Sequence, residues 1–226
     1  MIRNTDKRHA DGVPAAADGT VLIGELDADG YGIMLFSPDL FNEYIRINKW
    51  RARKYITFFN NNREKFFQII KDGIPAPFYL LPKFQYNIFV KVNAANDEIP
   101  GGYRKMFQYN RFYMEIGKNN KLCIASFAFM ENSVELIEQN ITEKSESVPT
   151  GPEEIMEQYN YAFRVELESG KYYFNLIGLE KINKGERESK NYGYLFEFIK
   201  DGNAINDNFN KCDNDQYIFD IMQYKL

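Results

Sequence analysis

Residues 161–182 read YAFRVELESGKYYFNLIGLEKI. Tyr161, Phe163, Val165 and Leu167 alternate with Arg164, Glu166 and Glu168, the period-two pattern of a strand with one dry and one wet face. ESGK at 168–171 is a turn signal, and a second run rich in aromatic and β-branched residues follows it to Ile182. The spacing therefore predicts a hairpin, and strands joined so tightly pair antiparallel.

The same signature recurs on both sides. FQYNIFVKV (84–92), RFYMEIG (111–117), KLCIASFAF (121–129), YGYLFEFIK (192–200) and QYIFDIMQY (216–224) all read as strands, with GKNNK (117–121) as a further short hairpin connection. KLCIASFAF is apolar on both faces, which places it centrally in a sheet. TVLIGEL-DADG-YGIMLF predicts another hairpin, from Thr20 to Phe36.

Helical signals cluster just beyond it. In SPD, Ser37 stands as N-cap, Pro38 at the first helical position and Asp39 in the first turn. Phe41, Ile45, Asn48, Ala52, Ile56 and Phe59 then recur at helical spacing, predicting a helix over 38–59. REKFFQIIKDG gives a second helix that Gly73 should stop. IPAPFYLLP (74–82) cannot continue a helix and is expected to run extended over the surface. ENSVELIEQNITEKSESVPTGPEE (131–154) reads as a short helix followed by an exposed acidic loop.

The expected fold class is therefore α+β: a mainly antiparallel sheet, as a sandwich or partial barrel, with a helical pair near the N-terminus packed on it. Residues 1–19 are small, polar and aperiodic and read as a flexible tail, with 20–226 as one globular domain.

Composition narrows the chemistry. Hydrophobic content of 44% and aromatic content of 16% support a packed core. Cys123 and Cys212 are too few for a disulfide framework, and the N-terminus carries no apolar signal segment, so the expected location is cytoplasmic. No apolar run approaches the roughly 18 residues of a membrane span. The single histidine, His9, lies in the tail, which leaves a nucleophilic triad without its base and a zinc site without its ligands.

Phosphate-loop, dinucleotide and nucleophile-elbow motifs do not occur. ELDADGYG starts like a calcium loop at Glu25, Asp27, Asp29 and Gly30, but Phe36 stands where the bidentate acid is needed. DGNAINDNFNKCDND (201–215) is rich in oxygen ligands without their spacing and reads as a loop. Glu115/Lys118 and Glu197/Lys200 are each one residue too far apart for a metal-nuclease pair. No catalytic, cofactor or metal residue is assigned.

What stands out is charge. Residues 46–121 carry 15 Lys/Arg against 5 Asp/Glu, whereas residues 131–180 carry 3 against 11, in a chain of net charge −4. On a helix over 38–59, Arg46, Lys49, Trp50, Arg53 and Lys54 would share one face, with the only tryptophan at its centre. Charge runs are usually solvated faces, and acids at Asp39 and Glu43 followed by bases also suit the helix dipole. Trp and Arg are nevertheless the residues most enriched at interface hot spots.

A bipolar surface favours a protein partner, of the kind met by inhibitors, immunity-type proteins or viral structural components. A nucleic-acid binder, or a carboxylate-metal nuclease using the basic 46–67 stretch, is the alternative. An acidic chain counts against it. Neutralisation of the two charged segments by each other within the fold is the other reading of this layout. Neither the partner nor the oligomeric state is written in the sequence.

Overall fold

The computed structural model describes residues 20–93, 98–150, 155–212 and 217–224. His9 and the expected tail at 1–19 lie outside them. Ten strands form two five-stranded sheets. The first holds β1 (Val21–Asp27), β4 (Gln85–Val92), β10 (Tyr192–Lys200), β9 (Gly170–Lys181) and β5 (Tyr103–Ile116), side by side in that order. The second runs β3 (Pro75–Tyr79), β2 (Gly32–Phe36), β6 (Lys121–Ser126), β8 (Ile155–Glu166) and β7 (Lys144–Thr150). Every pairing is antiparallel except β4 with β10. The α+β, mainly antiparallel expectation holds, in its sandwich form.

The layering explains the strands that are apolar throughout. In β2, Ile33 and Leu35 face the other sheet, whereas Met34 and Phe36 face helices. In the central β6, Leu122 and Ile124 point inward and Cys123 and Ala125 outward, under the same helices. A strand dry on both faces has no polar half to alternate with. The helical layer comprises α1 (Pro38–Ile47), α2 (Tyr55–Asn61), α3 (Arg63–Lys71), α4 (Phe127–Asn132) and α5 (Val134–Glu138), which bury Phe41, Tyr55, Phe59, Ile69, Phe129 and Ile137 against this face. Each such side chain contributes about 1.5–3 kcal/mol of burial. Between the sheets, Phe78 meets Phe112 and Phe219 at centroid distances of 5.3 and 5.1 Å.

The turns departed from expectation. DADG joins β1 of the first sheet to β2 of the second, GKNNK joins β5 to β6, and ESGK joins β8 to β9. None of the three closes a hairpin; each carries the chain across the sandwich. The turn chemistry is still as read, because the Tyr31 amide bonds to the Ala28 carbonyl and Gly30 has φ +85°. What differs is the partner: β1 pairs with β4 and β2 with β3 and β6. The hairpins that do form are β7 with β8 and β9 with β10.

Further segments differ. KLCIASFAF is a strand only as far as Ser126, beyond which Phe127–Asn132 form α4, and the expected loop at 201–215 contains a short helix, Asn208–Cys212. The acidic loop contains β7, which is exposed over 145–149 and pairs along one side of β8. IPAPFYLLP is extended, but β3 is a buried edge strand rather than a surface run. An edge tolerates Pro75 and Pro77 because one side of the strand makes no ladder bonds.

The expected strand 216–224 is irregular at 217–220 and ends in a 3₁₀ turn, Ile221–Tyr224. Its alternation reports burial: Phe219 and Ile221 enter the core. Tyrosine hydroxyls replace the neighbouring strand. Tyr194 donates to the Phe219 carbonyl (2.8 Å), and the Ile218 amide donates to the Tyr109 hydroxyl (3.0 Å).

Candidate protein-binding surface

The helix expected over 38–59 is two helices, because α1 stops at Ile47. Lys49 has φ +55°. The Trp50 amide donates to the Ile45 carbonyl (3.0 Å) and the Lys49 amide to the Arg46 carbonyl (3.1 Å), the bond pair of a Schellman termination. The same pair ends α3 with Gly73 at φ +77° and α5 with Asn140 at φ +58°. Ser37 occupies the N-cap position of α1, but its hydroxyl donates to the Asp39 carboxylate (2.6 Å) and accepts from the Gly117 amide (3.0 Å) instead of capping the helix.

This break dissolves the single cationic face. Arg46 stays in the last turn of α1, 3.9 Å from Glu43. Lys49 and Arg53 are exposed on the connection that follows, and Lys54 precedes α2 and pairs with Glu131 at 3.5 Å. Trp50 is not the exposed centre of a face. It is half-buried, with its ring 5.4 Å from Tyr44, 5.6 Å from Phe58 and 6.3 Å from Phe59, and the Lys65 ammonium lies over it at 5.7 Å. A Schellman turn characteristically packs an apolar residue there against the preceding helical turn. Trp50 fills that role and pins the connection to the helical layer.

The pinned connection still presents its charges. Arg46, Lys49, Arg51, Arg53 and Lys54 are all exposed, as is Ile47 at 63%. Among the described residues, Lys49, Arg51 and Arg53 take part in no ion pair. Besides Glu43, Glu131 reaches this region. Its carboxylate accepts the Thr57 amide (2.9 Å) and hydroxyl at the start of α2. Burial works against its ionisation, but those bonds and the Lys54 ammonium hold it below the usual carboxylate range.

Mutual neutralisation of the two charged segments is slight. Among the described residues, Lys54–Glu131 and Arg104–Glu180 are the ion pairs that join them. Glu157 and Glu168 are served instead by Arg187 and Lys200. The carboxylates weighed for nuclease chemistry are occupied structurally: Glu115 accepts the Tyr113 hydroxyl (2.8 Å), and Glu197 pairs with Lys91 (3.2 Å).

A groove of about 790 Å³ opens beside this region. Ile56 and Phe59 of α2 and Phe66 and Phe67 of α3 form one wall, and Tyr217–Asp220 form the other. Tyr31 and Leu80 stand at its edge, 64% and 79% exposed. Their backbones have φ +63° and +64° and are tied by the Leu81 amide bonding to the Tyr31 carbonyl (3.2 Å). Bulky side chains rarely adopt that conformation.

No family model matches the sequence, and no curated protein matches it. Among solved structures the chain is similar to the crystal structure of ComJ, inhibitor of the DNA degrading activity of NucA, from Bacillus subtilis. Identity is 10%, the match covers 82% of this chain and 100% of that one, and the TM-score is 0.39. At that score the likeness carries no argument.

Sequence reasoning missed the groove entirely. Its walls come from residues about 150 positions apart, and no local pattern joins them. No helix among the described residues is long and apolar enough to cross a membrane.

Proposed function

We propose that the chain is a non-enzymatic protein-binding domain of the inhibitor or immunity type, and that the basic connection from Arg46 to Lys54 meets an acidic face of its partner. One observation carries this reading. Lys49, Arg51 and Arg53 sit exposed and without ion pairs among the described residues, on a connection fixed by a Schellman turn and a half-buried Trp50. A rigid element loses little conformational freedom on binding, and unpaired cations give up no internal ion pair when they meet a partner's acids. Arg46, Lys54 and Trp50 frame the surface, Trp50 as its support rather than its anchor.

The test is photo-crosslinking from a benzophenone side chain at position 53 of the full chain, in a lysate of cells that make it. The reading expects discrete protein adducts that vanish when Lys49 and Arg51 become Glu and that do not form from position 199 on the other sheet. Adducts to nucleic acid would support the nucleic-acid alternative instead. Identical adducts from both positions would remove the surface from consideration.

A further inference from the structure

We infer that the groove between α2–α3 and the 217–220 segment is the apolar half of the same binding surface, and that it receives an acidic segment of the partner with projecting aromatic or aliphatic side chains. The inference rests on the protein-binding reading above and adds the class of ligand. Three features of the groove carry it.

The first is its rim. Tyr31 and Leu80 expose large apolar side chains from left-handed backbone, where Asn or Gly would sit without strain. Strained presentation of exposed apolar groups is a cost to folding that marks candidate ligand clamps. The second is the shape and lining. Phe59, Phe66 and Phe67 on one side and Tyr217 and Phe219 on the other make a slot of about 790 Å³ with aromatic walls, the kind of concavity that takes side chains projecting from a peptide.

The third is charge, which selects among occupants. From Arg46 to Lys71, the segment that supplies one wall, there are eight Lys/Arg and a single acid, Glu64. Arg63 reaches the groove lining, with its guanidinium 5.8 Å from the centre of the Phe67 ring. The lining acid, Asp220, is already used by its own turn: one carboxylate oxygen accepts the Met222 amide (2.9 Å) and the other the Gln223 side-chain amide (3.4 Å). Arg63 and Asp220 balance within the lining, so an incoming segment meets apolar walls, and the positive charge it meets is that of the exposed Arg46–Lys54 connection, which runs directly into α2 at the groove wall. Acidic side chains flanking apolar anchors complement both.

The probe is a display library of random short peptides selected on the full chain, followed by fluorescence-polarisation affinities of the selected peptides. The inference predicts peptides combining Asp or Glu with aromatic or large aliphatic residues. Leu80→Asn and Tyr31→Asn, both at exposed positions, should each weaken them about thirtyfold if these residues act as hot spots. Arg63→Glu should weaken them too, with the loss growing at low salt.

Several results would overturn the inference: no peptide selected, selection of basic or uncharged peptides, or affinities untouched by the rim substitutions. Self-association abolished by Leu80→Asn would assign the groove to a second copy. An intramolecular adduct from a benzophenone at position 31 would assign it to the chain itself. If the rim substitutions do nothing while adducts from position 53 persist, the groove inference fails and the protein-binding reading stands. Adducts from position 53 to nucleic acid alone would sink that reading instead.

Discussion

Lys49→Gly should stabilise the protein, and the sign of its effect separates a broken helix from a continuous one. Lys49 has φ +55° at the residue just beyond the α1 C-cap. A side chain in left-handed backbone costs roughly 1–2 kcal/mol, which glycine avoids. Against this, glycine gives the unfolded chain extra freedom, worth about 0.5–1 kcal/mol.

The Lys49 side chain is exposed and takes part in no ion pair among the described residues, so its removal forfeits little packing. The balance is a gain of about 0–1.5 kcal/mol. Were residues 38–59 one helix, the same change would place glycine in a helix interior and cost about 1 kcal/mol. Urea denaturation reads the difference as a shift of midpoint at constant m-value. A lowered midpoint would refute the Schellman account of this turn, and with it the rigid presentation of the basic connection.

Trp50→Ala should cost about 2 kcal/mol, between the small loss of an exposed ring and the larger one of a fully buried ring, because three aromatic contacts go with it. Urea midpoints measure it, and a loss under about 0.5 kcal/mol would mean that the ring supports nothing. Stability should also fall in alkali. Burial and the Glu138 charge push the Tyr55 hydroxyl up to about 12, and burial with its bond to Asp72 raises Tyr44 as well. A group raised on folding contributes fully below its unfolded value near pH 10 and loses that contribution as pH rises toward the folded one. Tyrosinate absorbance should therefore appear together with unfolding above about pH 10; full ionisation of a chain that stays folded would contradict the burial of these hydroxyls.

Period-two alternation located nearly every strand, since it reports burial directly. It misled at 216–224, where Phe219 and Ile221 are buried without a ladder because tyrosine hydroxyls satisfy part of the backbone. Turn residues marked where the chain reverses, but not whether it returns to the same sheet. DADG, GKNNK and ESGK look like hairpin turns because the local demand on φ is the same when the next strand crosses the sandwich. Gly73 was readable as a helix stop and Lys49 was not, because the same motif usually recruits glycine or asparagine. The helical spacing of Ala52, Ile56 and Phe59 ran through the break because α2 packs on the same layer as α1. The exposed cations of the site were legible as composition, whereas the groove depends on segments that only the tertiary fold brings together.

The proposed function rests on steering of this chain onto an acidic protein surface by its basic connection. Its most direct test is the association rate constant with the protein recovered by crosslinking from position 53, followed against salt for the wild type and for Arg51→Glu/Arg53→Glu. The account predicts a wild-type rate that falls as salt rises, and a double variant that associates at least about tenfold more slowly at low salt with a flattened dependence. Rates insensitive to both salt and charge reversal would contradict it.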